Sequence, residues 1–117
     1  MIGGFINQGP VPMQVLIRGI GPSLTPLGVS GALADPVLEL HKPDGTVVTN
    51  DNWQSDQESA IIATTIPPTN PLESAILLTL PVGQGAYTAI IRGANNTIGV
   101  GLVEAYFGNP CIGTSCP

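Results

Sequence analysis

Turn-forming residues cut this sequence at intervals of about ten, and no other feature constrains its fold as strongly. Gly21-Pro22, Pro43-Asp44-Gly45, Pro67-Pro68, Pro81 to Gly85 and Gly93 to Asn96 each stand between apolar runs. Runs bounded so closely are too short for core helices and suit strands. The runs are residues 2–7, Met13 to Ile20, Val37 to Lys42, Thr46 to Thr49, Glu73 to Leu80, Ala86 to Arg92 and Gly99 to Phe107. Val37 to Lys42 alternates, with Leu38 and Leu40 on one face and Glu39 and His41 on the other, which marks a half-buried strand. Its continuation through Pro43-Asp44-Gly45-Thr46 predicts a hairpin with the next run. Tyr87, Ala89 and Ile91 share one face in the same way. The expectation is an all-β chain, an antiparallel sandwich or jelly roll of seven to eight short strands.

One helix is expected, near 56–63. Ser55 followed by Glu58 has the form of a capping box, and Ala60, Ile61 and Ile62 follow it. Residues 22–36 form a long connection, and Leu24, Leu27, Val29 and Leu33 predict that it packs across one end of the sandwich. At 117 residues the chain fits one domain. Residues 1–107 form the sandwich and residues 108–117 a tail.

Charge is scarce, at 9% of residues against 43% hydrophobic. The 15 glycines and 12 prolines lack a period and read as punctuation between strands. A surface so poor in charge favours self-association. The net charge is −5, with Arg18, Lys42 and Arg92 as the only cations. That excludes phosphate-backbone recognition, and with it nucleic acid, and disfavours anionic lipid headgroups. No apolar run reaches the length of a membrane span. Met1 is followed at once by strand-like sequence without a basic n-region. The chain is therefore expected to be either cytoplasmic or a mature or excised piece of a secreted protein. Cys111 and Cys116 favour the second. They flank Ile112-Gly113-Thr114-Ser115 near the terminus, and His41 is the only histidine. A zinc site lacks ligands, and a local disulfide in an oxidising compartment is expected.

Catalytic patterns are missing. His41 lies on the solvent face of its strand beside a turn, with no nucleophile marked near it. Gly19-Ile20-Gly21 has Leu24 where a dinucleotide fingerprint needs its third glycine. The eight acids show no glycosidase arrangement. Enzyme activity is not expected. Two polar features remain. Asp44, Asp51 and Asp56, with Asn50 and Asn52, surround one hairpin and its exit, and oxygen ligands in loops suit calcium. The same side chains equally serve as turn and helix caps. Trp53 and Tyr87 offer a sugar-stacking pair or ordinary core packing. Asn95-Asn96-Thr97 matches a glycosylation sequon and also reads as a hairpin turn. Glu104 alternates with Leu102 and Tyr106 on the last strand. If its face is buried, a cation must pair it, and Arg18 and Arg92 are the strand-borne candidates.

Six segments in order resemble a known module. They are VLIRGIGPSL (15–24), LADPVLEL (33–40), TNDNW (49–53), NPLESAI (70–76), GAYTAIIRGANNT (85–97) and GVGLVEAY (99–106). The module is found, often in tandem, in large secreted proteins of environmental bacteria. It is more distantly similar to β-sandwich domains appended to secreted peptidases. The resemblance covers residues 2 to 107 and implies an extracellular sandwich used in attachment or assembly, with no catalytic residues to carry over. Such modules carry a further strand before the one matching Met1 to Ile6. Its absence here implies an unpaired edge formed by Gly3, Gly4, Phe5 and Ile6. The cysteine tail falls outside the motif.

Two functions follow as expectations. One is a structural subunit of an extracellular filament or surface layer, assembled through the N-terminal strand or the tail around Ile112. The other is a carbohydrate- or cell-surface-binding module excised from a larger protein.

Overall fold

The computed structural model describes residues 2–7, 12–83 and 85–108. Seven strands fall where the turn signals place them: β1 (Ile2–Phe5), β2 (Met13–Ile20), β3 (Pro36–His41), β4 (Val47–Asn50), β5 (Ser74–Leu80), β6 (Tyr87–Gly93) and β7 (Leu102–Gly108). They form two antiparallel sheets, one of order β1-β6-β3-β4 and one of order β5-β2-β7. Among these strands only the β3–β4 hairpin joins sheet neighbours that are consecutive in sequence. Every other connection crosses between the sheets.

The inner faces of the two sheets make the main core. Val15, Ile17, Ile76 and Leu80 from one sheet meet Leu38, Leu40, Tyr87 and Ala89 from the other. A second cluster lies on the outer face of the three-stranded sheet. There Leu16, Ala75 and Leu77 are covered by Trp53 and by Ile61 of helix α1 (Glu58–Ala63). β2 is therefore buried on both faces, and Val15, Leu16 and Ile17 are all fully inaccessible. A strand in that position needs a continuous apolar run, whereas β3 and β6, with one face outward, alternate. Two glycines are fixed by close approach. A Cβ on Gly19 would stand 2.6 Å from the Ser74 hydroxyl, and one on Gly21 would stand 2.3 Å from the Leu33 carbonyl oxygen.

The structure departs from the sequence reading at several points. The helix starts at Glu58, but no capping box forms. Gln57 is the N-cap, in left-handed conformation with φ 61°, and the Ser55 hydroxyl donates to the Asn52 carbonyl at 2.6 Å. Three 3₁₀ turns were not expected, at Pro22–Leu27, Trp53–Ser55 and Ala94–Asn96. The 22–36 connection packs only in part: Leu24 and Leu33 are buried, but Leu27 is 78% exposed. A parallel bridge between Ala32 and Val100 ties this connection to the β6–β7 crossover. The Asn95-Asn96-Thr97 segment is thus no hairpin turn, because β6 and β7 belong to different sheets.

Candidate assembly edges

A sandwich has two lateral sides, and in this chain they are built differently. The first brings β4 beside β5. Asn50, the last residue of β4, accepts the Ala75 N–H through Oδ1 at 3.0 Å and donates through Nδ2 to the Asn52 carbonyl at 3.2 Å. Gln57 does the same work one pair further along. Its Nε2 donates to the Leu77 carbonyl at 2.9 Å, and its Oε1 accepts the Leu77 N–H at 3.1 Å. Ala75 and Leu77 alternate along β5, so two side-chain amides occupy the hydrogen-bonding positions that a further strand would take. The left-handed backbone at Gln57 aims its amide at β5, and α1 begins with the next residue.

The start of β5 is held by Glu73, which is fully buried. Its Oε2 accepts the N–H groups of Gly21 at 3.0 Å and Ser23 at 2.9 Å. Its Oε1 accepts the Ser23 hydroxyl at 2.7 Å and the Asn70 N–H at 3.3 Å. The Glu73 carbonyl in turn accepts the Trp53 N–H at 2.9 Å. The carboxylate therefore fastens the 22–27 turn to the loop before β5, and the backbone carbonyl of the same residue holds the exit of β4. No cation takes part, because four donors supply what a buried carboxylate needs.

The second side brings β1 beside β7. Phe5 stacks on Tyr87 at 5.9 Å and meets Phe107 edge-on at 5.9 Å. A Cβ on Gly3 would lie 3.9 Å from Val103 Cγ1. β1 ends the four-stranded sheet and β7 ends the three-stranded one, so among the described residues no strand lies beyond either. β1 carries no charged residue. Ile2 is 68% exposed, and Ile6 and Phe107 are each 48% exposed.

On its outer face β7 is braced by Arg18, which stands directly opposite Glu104 in the β2–β7 register. Arg18 Nε donates to Glu104 Oε1 at 3.0 Å, and Nη2 donates to the same oxygen. Nη2 also donates to the Tyr106 hydroxyl at 3.0 Å, and Nη1 to the Ile66 carbonyl at 3.3 Å. The Tyr106 hydroxyl donates to Glu104 Oε2 at 3.2 Å, and the guanidinium lies 5.0 Å from the Tyr106 ring centroid. The only charged side chain on β7 is therefore neutralised within its own subunit.

Arg92, the other candidate partner for Glu104, lies elsewhere. Its Nε donates to Glu39 Oε2 at 2.7 Å on the outer face of the four-stranded sheet, where His41 lies 3.3 Å from Glu39 Oε1. The hydrogen bond from Arg92, and then that from His41, hold the Glu39 carboxyl below its ordinary range.

The calcium candidates are not brought together. Asp44 closes the β3–β4 turn, its Oδ1 accepting the Thr46 N–H at 2.9 Å and the Thr46 hydroxyl at 2.6 Å. Those bonds hold the Asp44 carboxyl low. Asp51 lies beyond the far end of β4, about 13 Å of extended chain away. There it faces Asp35, whose carboxyl is pushed up by burial first and then by the hydrogen bond and charge of Asp51. Asp56 follows the 3₁₀ turn at Trp53–Ser55. No three acid, histidine or cysteine side chains among the described residues are placed to hold a metal. The aromatic platform is also absent. Trp53 packs under α1 and Tyr87 between the sheets, 7% and 6% exposed. Cys111, Ile112 and Cys116 lie outside the described residues. No helix among the described residues is long and apolar enough to cross a membrane.

No family model matches the chain, and no curated protein or solved structure matches it either. Of the residues that build the two sides, the sequence reading missed Gln57 and Glu73. Glu73 had a signal, since an acid entering an apolar strand needs a dedicated set of donors. Gln57 had none.

Proposed function

We propose that this chain is a non-catalytic structural subunit that works outside the cell and joins copies of itself into a homopolymer through the β1–β7 side. The observation that carries the reading is the contrast between the two sides. Soluble sandwiches blunt their edges with charge, proline or covering side chains. Here the β5 edge is covered by two amides, whereas β1 is left uncharged and flanked by exposed Ile2 and Ile6. A bare edge satisfies its N–H and C=O groups by adding a strand from a neighbour. The tail 109–117, with Cys111, Ile112 and Cys116, is the candidate for a second contact that would extend the polymer.

Sedimentation velocity over a concentration series, with electron microscopy of the same samples, tests this. Mass should rise with concentration and filaments or layers should appear. Deleting 109–117 should shorten them while the sandwich stays folded. A chain that stays monomeric at the highest concentration would overturn the reading.

A further inference from the structure

We infer that the cleft between the β3–β4 turn and the end of β5 binds an extended peptide segment carrying one acidic side chain. This goes beyond the self-assembly reading and does not depend on it.

The amide caps leave one position of the β5 edge open. Asn50 and Gln57 take outward backbone groups of Ala75 and Leu77. Backbone direction alternates along a strand, so Thr79 is the next residue whose N–H and C=O point away from β2. No described residue is hydrogen-bonded to either group. Thr79 lines a cleft of about 630 Å³ together with Lys42, Pro43, Leu78, Pro81 and Tyr87. That volume suits a small ligand. A smaller hollow of about 180 Å³ shares Lys42 and Leu78 with the cleft and reaches Gln57. The open position therefore continues the row of capped ones.

Gln57 shows what chemistry the edge takes. At Leu77 its amide donates to the carbonyl and accepts the N–H. One residue of an extended peptide offers the same donor and acceptor to Thr79, as a strand addition one residue long. Pro81, two residues further on, has no N–H and ends the row.

Charge selects the side chain. Arg18 and Arg92 are paired with Glu104 and Glu39, whereas Lys42 makes no ion pair among the described residues. Lys42 stands one step past the His41–Thr88 pair of the β3–β6 register, which sets it beside Tyr87. Residues directly opposite share a face, and Tyr87 belongs to the inner one. Tyr87 is almost wholly buried, yet its hydroxyl has no hydrogen-bond partner among the described residues, unlike that of Tyr106. Buried tyrosine hydroxyls usually find one. The wall formed by Lys42 and Tyr87 thus offers two donors without an acceptor, and a carboxylate accepts from both. Parity puts it there. A peptide residue opposite Thr79 shares its outer face, so the residues on either side of it direct their side chains inward. Asp44 also lines the cleft and repels a second acid.

The test is a titration of the ¹⁵N-labelled full chain with the blocked peptide acetyl-Ala-Glu-Ala-amide. The Thr79 amide resonance should move as the peptide binds. Replacing Glu by Gln in the peptide should weaken binding roughly tenfold. Lys42→Met, which keeps the apolar stem, should do the same, and Tyr87→Phe should cost less. Thr79→Pro removes an N–H that the sheet does not use, at an edge position where proline is tolerated, and should abolish binding while the sandwich stays folded. If Lys42→Met fails to fold, Thr79→Pro and the Gln peptide decide the matter. A Thr79 resonance unmoved by millimolar peptide would overturn the inference. So would equal binding of the Glu and Gln peptides, or a response to galacturonate in place of the peptide. Sedimentation of the same samples reads self-association separately, so either reading can fail without the other.

Discussion

The two lateral sides of this sandwich answer one physical problem in opposite ways. Both end in strands with a row of backbone groups directed away from the sheet. At the β4–β5 side those groups are taken up from within the chain, by the Asn50 and Gln57 amides at Ala75 and Leu77. At the β1–β7 side apolar side chains flank the edge. A protein with three cations in 117 residues has little charge with which to repel a neighbour's strand. Amide caps are the neutral substitute. They cover the β5 edge at Ala75 and Leu77.

The most severe way to break the closed side is to remove Glu73. Glu73→Ala leaves the N–H groups of Gly21, Ser23 and Asn70 and the Ser23 hydroxyl without their acceptor. The expected loss is about 3 kcal/mol or more, read from urea unfolding. Glu73→Gln keeps the shape but replaces one acceptor oxygen with a donor, and should lose less than the alanine variant. A near-wild-type Glu73→Ala would mean that the carboxylate does not fasten the loops.

Gln57→Ala comes next. It uncovers the Leu77 N–H and carbonyl while leaving the apolar core untouched. About 1–3 kcal/mol of stability should go, with a second and more informative effect on association. The β5 edge would become available for pairing, so the variant should gain contacts that the wild type lacks. Hydrogen exchange at Leu77 is the sharper measurement, since that amide should lose protection before the rest of β5. Unchanged protection would show that the Gln57 bonds matter little.

How much of this was visible in the sequence depended on whether the deciding contacts were local. β3 and β6 could be read with their faces assigned, because each has one wet side and alternation records it. β2 could be placed but its faces could not, since α1 and Trp53 cover its outer side and turn alternation into a run. The acid cluster kept two readings open for a related reason. Asp44 and Asp51 look adjacent in sequence, but an extended strand separates them, and Asp51 instead meets Asp35. The lack of charge on β1 was legible because it depends only on the strand's own residues. The amide caps were not, because pairing residue 57 with residue 77 is a property of the sheet topology.

A smaller effect is expected from loosening the open side from behind. Arg18→Met keeps the side chain's apolar length but removes its hydrogen bonds to Glu104, Tyr106 and Ile66. It leaves Glu104, part-buried on β7, without its cation. Stability should fall by about 1–2 kcal/mol, and β7 should lose protection more than β5 does. Removing both partners, as Arg18→Met with Glu104→Gln, should recover part of the loss, because no charge is then stranded. Additive losses in that pair would rule out direct coupling.

The smallest expected effect, and the one whose sign is most specific, concerns pH at the closed side. The Asp35 carboxyl is raised by burial and by the nearby Asp51, so the folded state holds this proton more tightly than the unfolded chain does. Its contribution to stability is fully present below the ordinary aspartate range and declines as pH rises through the raised value. Glu39 acts in the opposite sense. Arg92 and His41 depress its carboxyl, so its contribution is present above the ordinary glutamate range and is lost as pH falls through the depressed value. Asp35→Asn should therefore stabilise the protein at neutral pH, with a gain that shrinks towards zero in acid. Glu39→Gln should leave the acid limb flatter, by no more than about 1 kcal/mol because its partner Arg92 is half exposed. Urea midpoints from pH 3 to pH 8 separate the two slopes. An Asp35→Asn gain that is equal at both ends of that range would show that Asp35 and Asp51 do not share a titrating contact. It would then leave the amides of Asn50 and Gln57, which do not titrate, as what distinguishes the closed side from the open one.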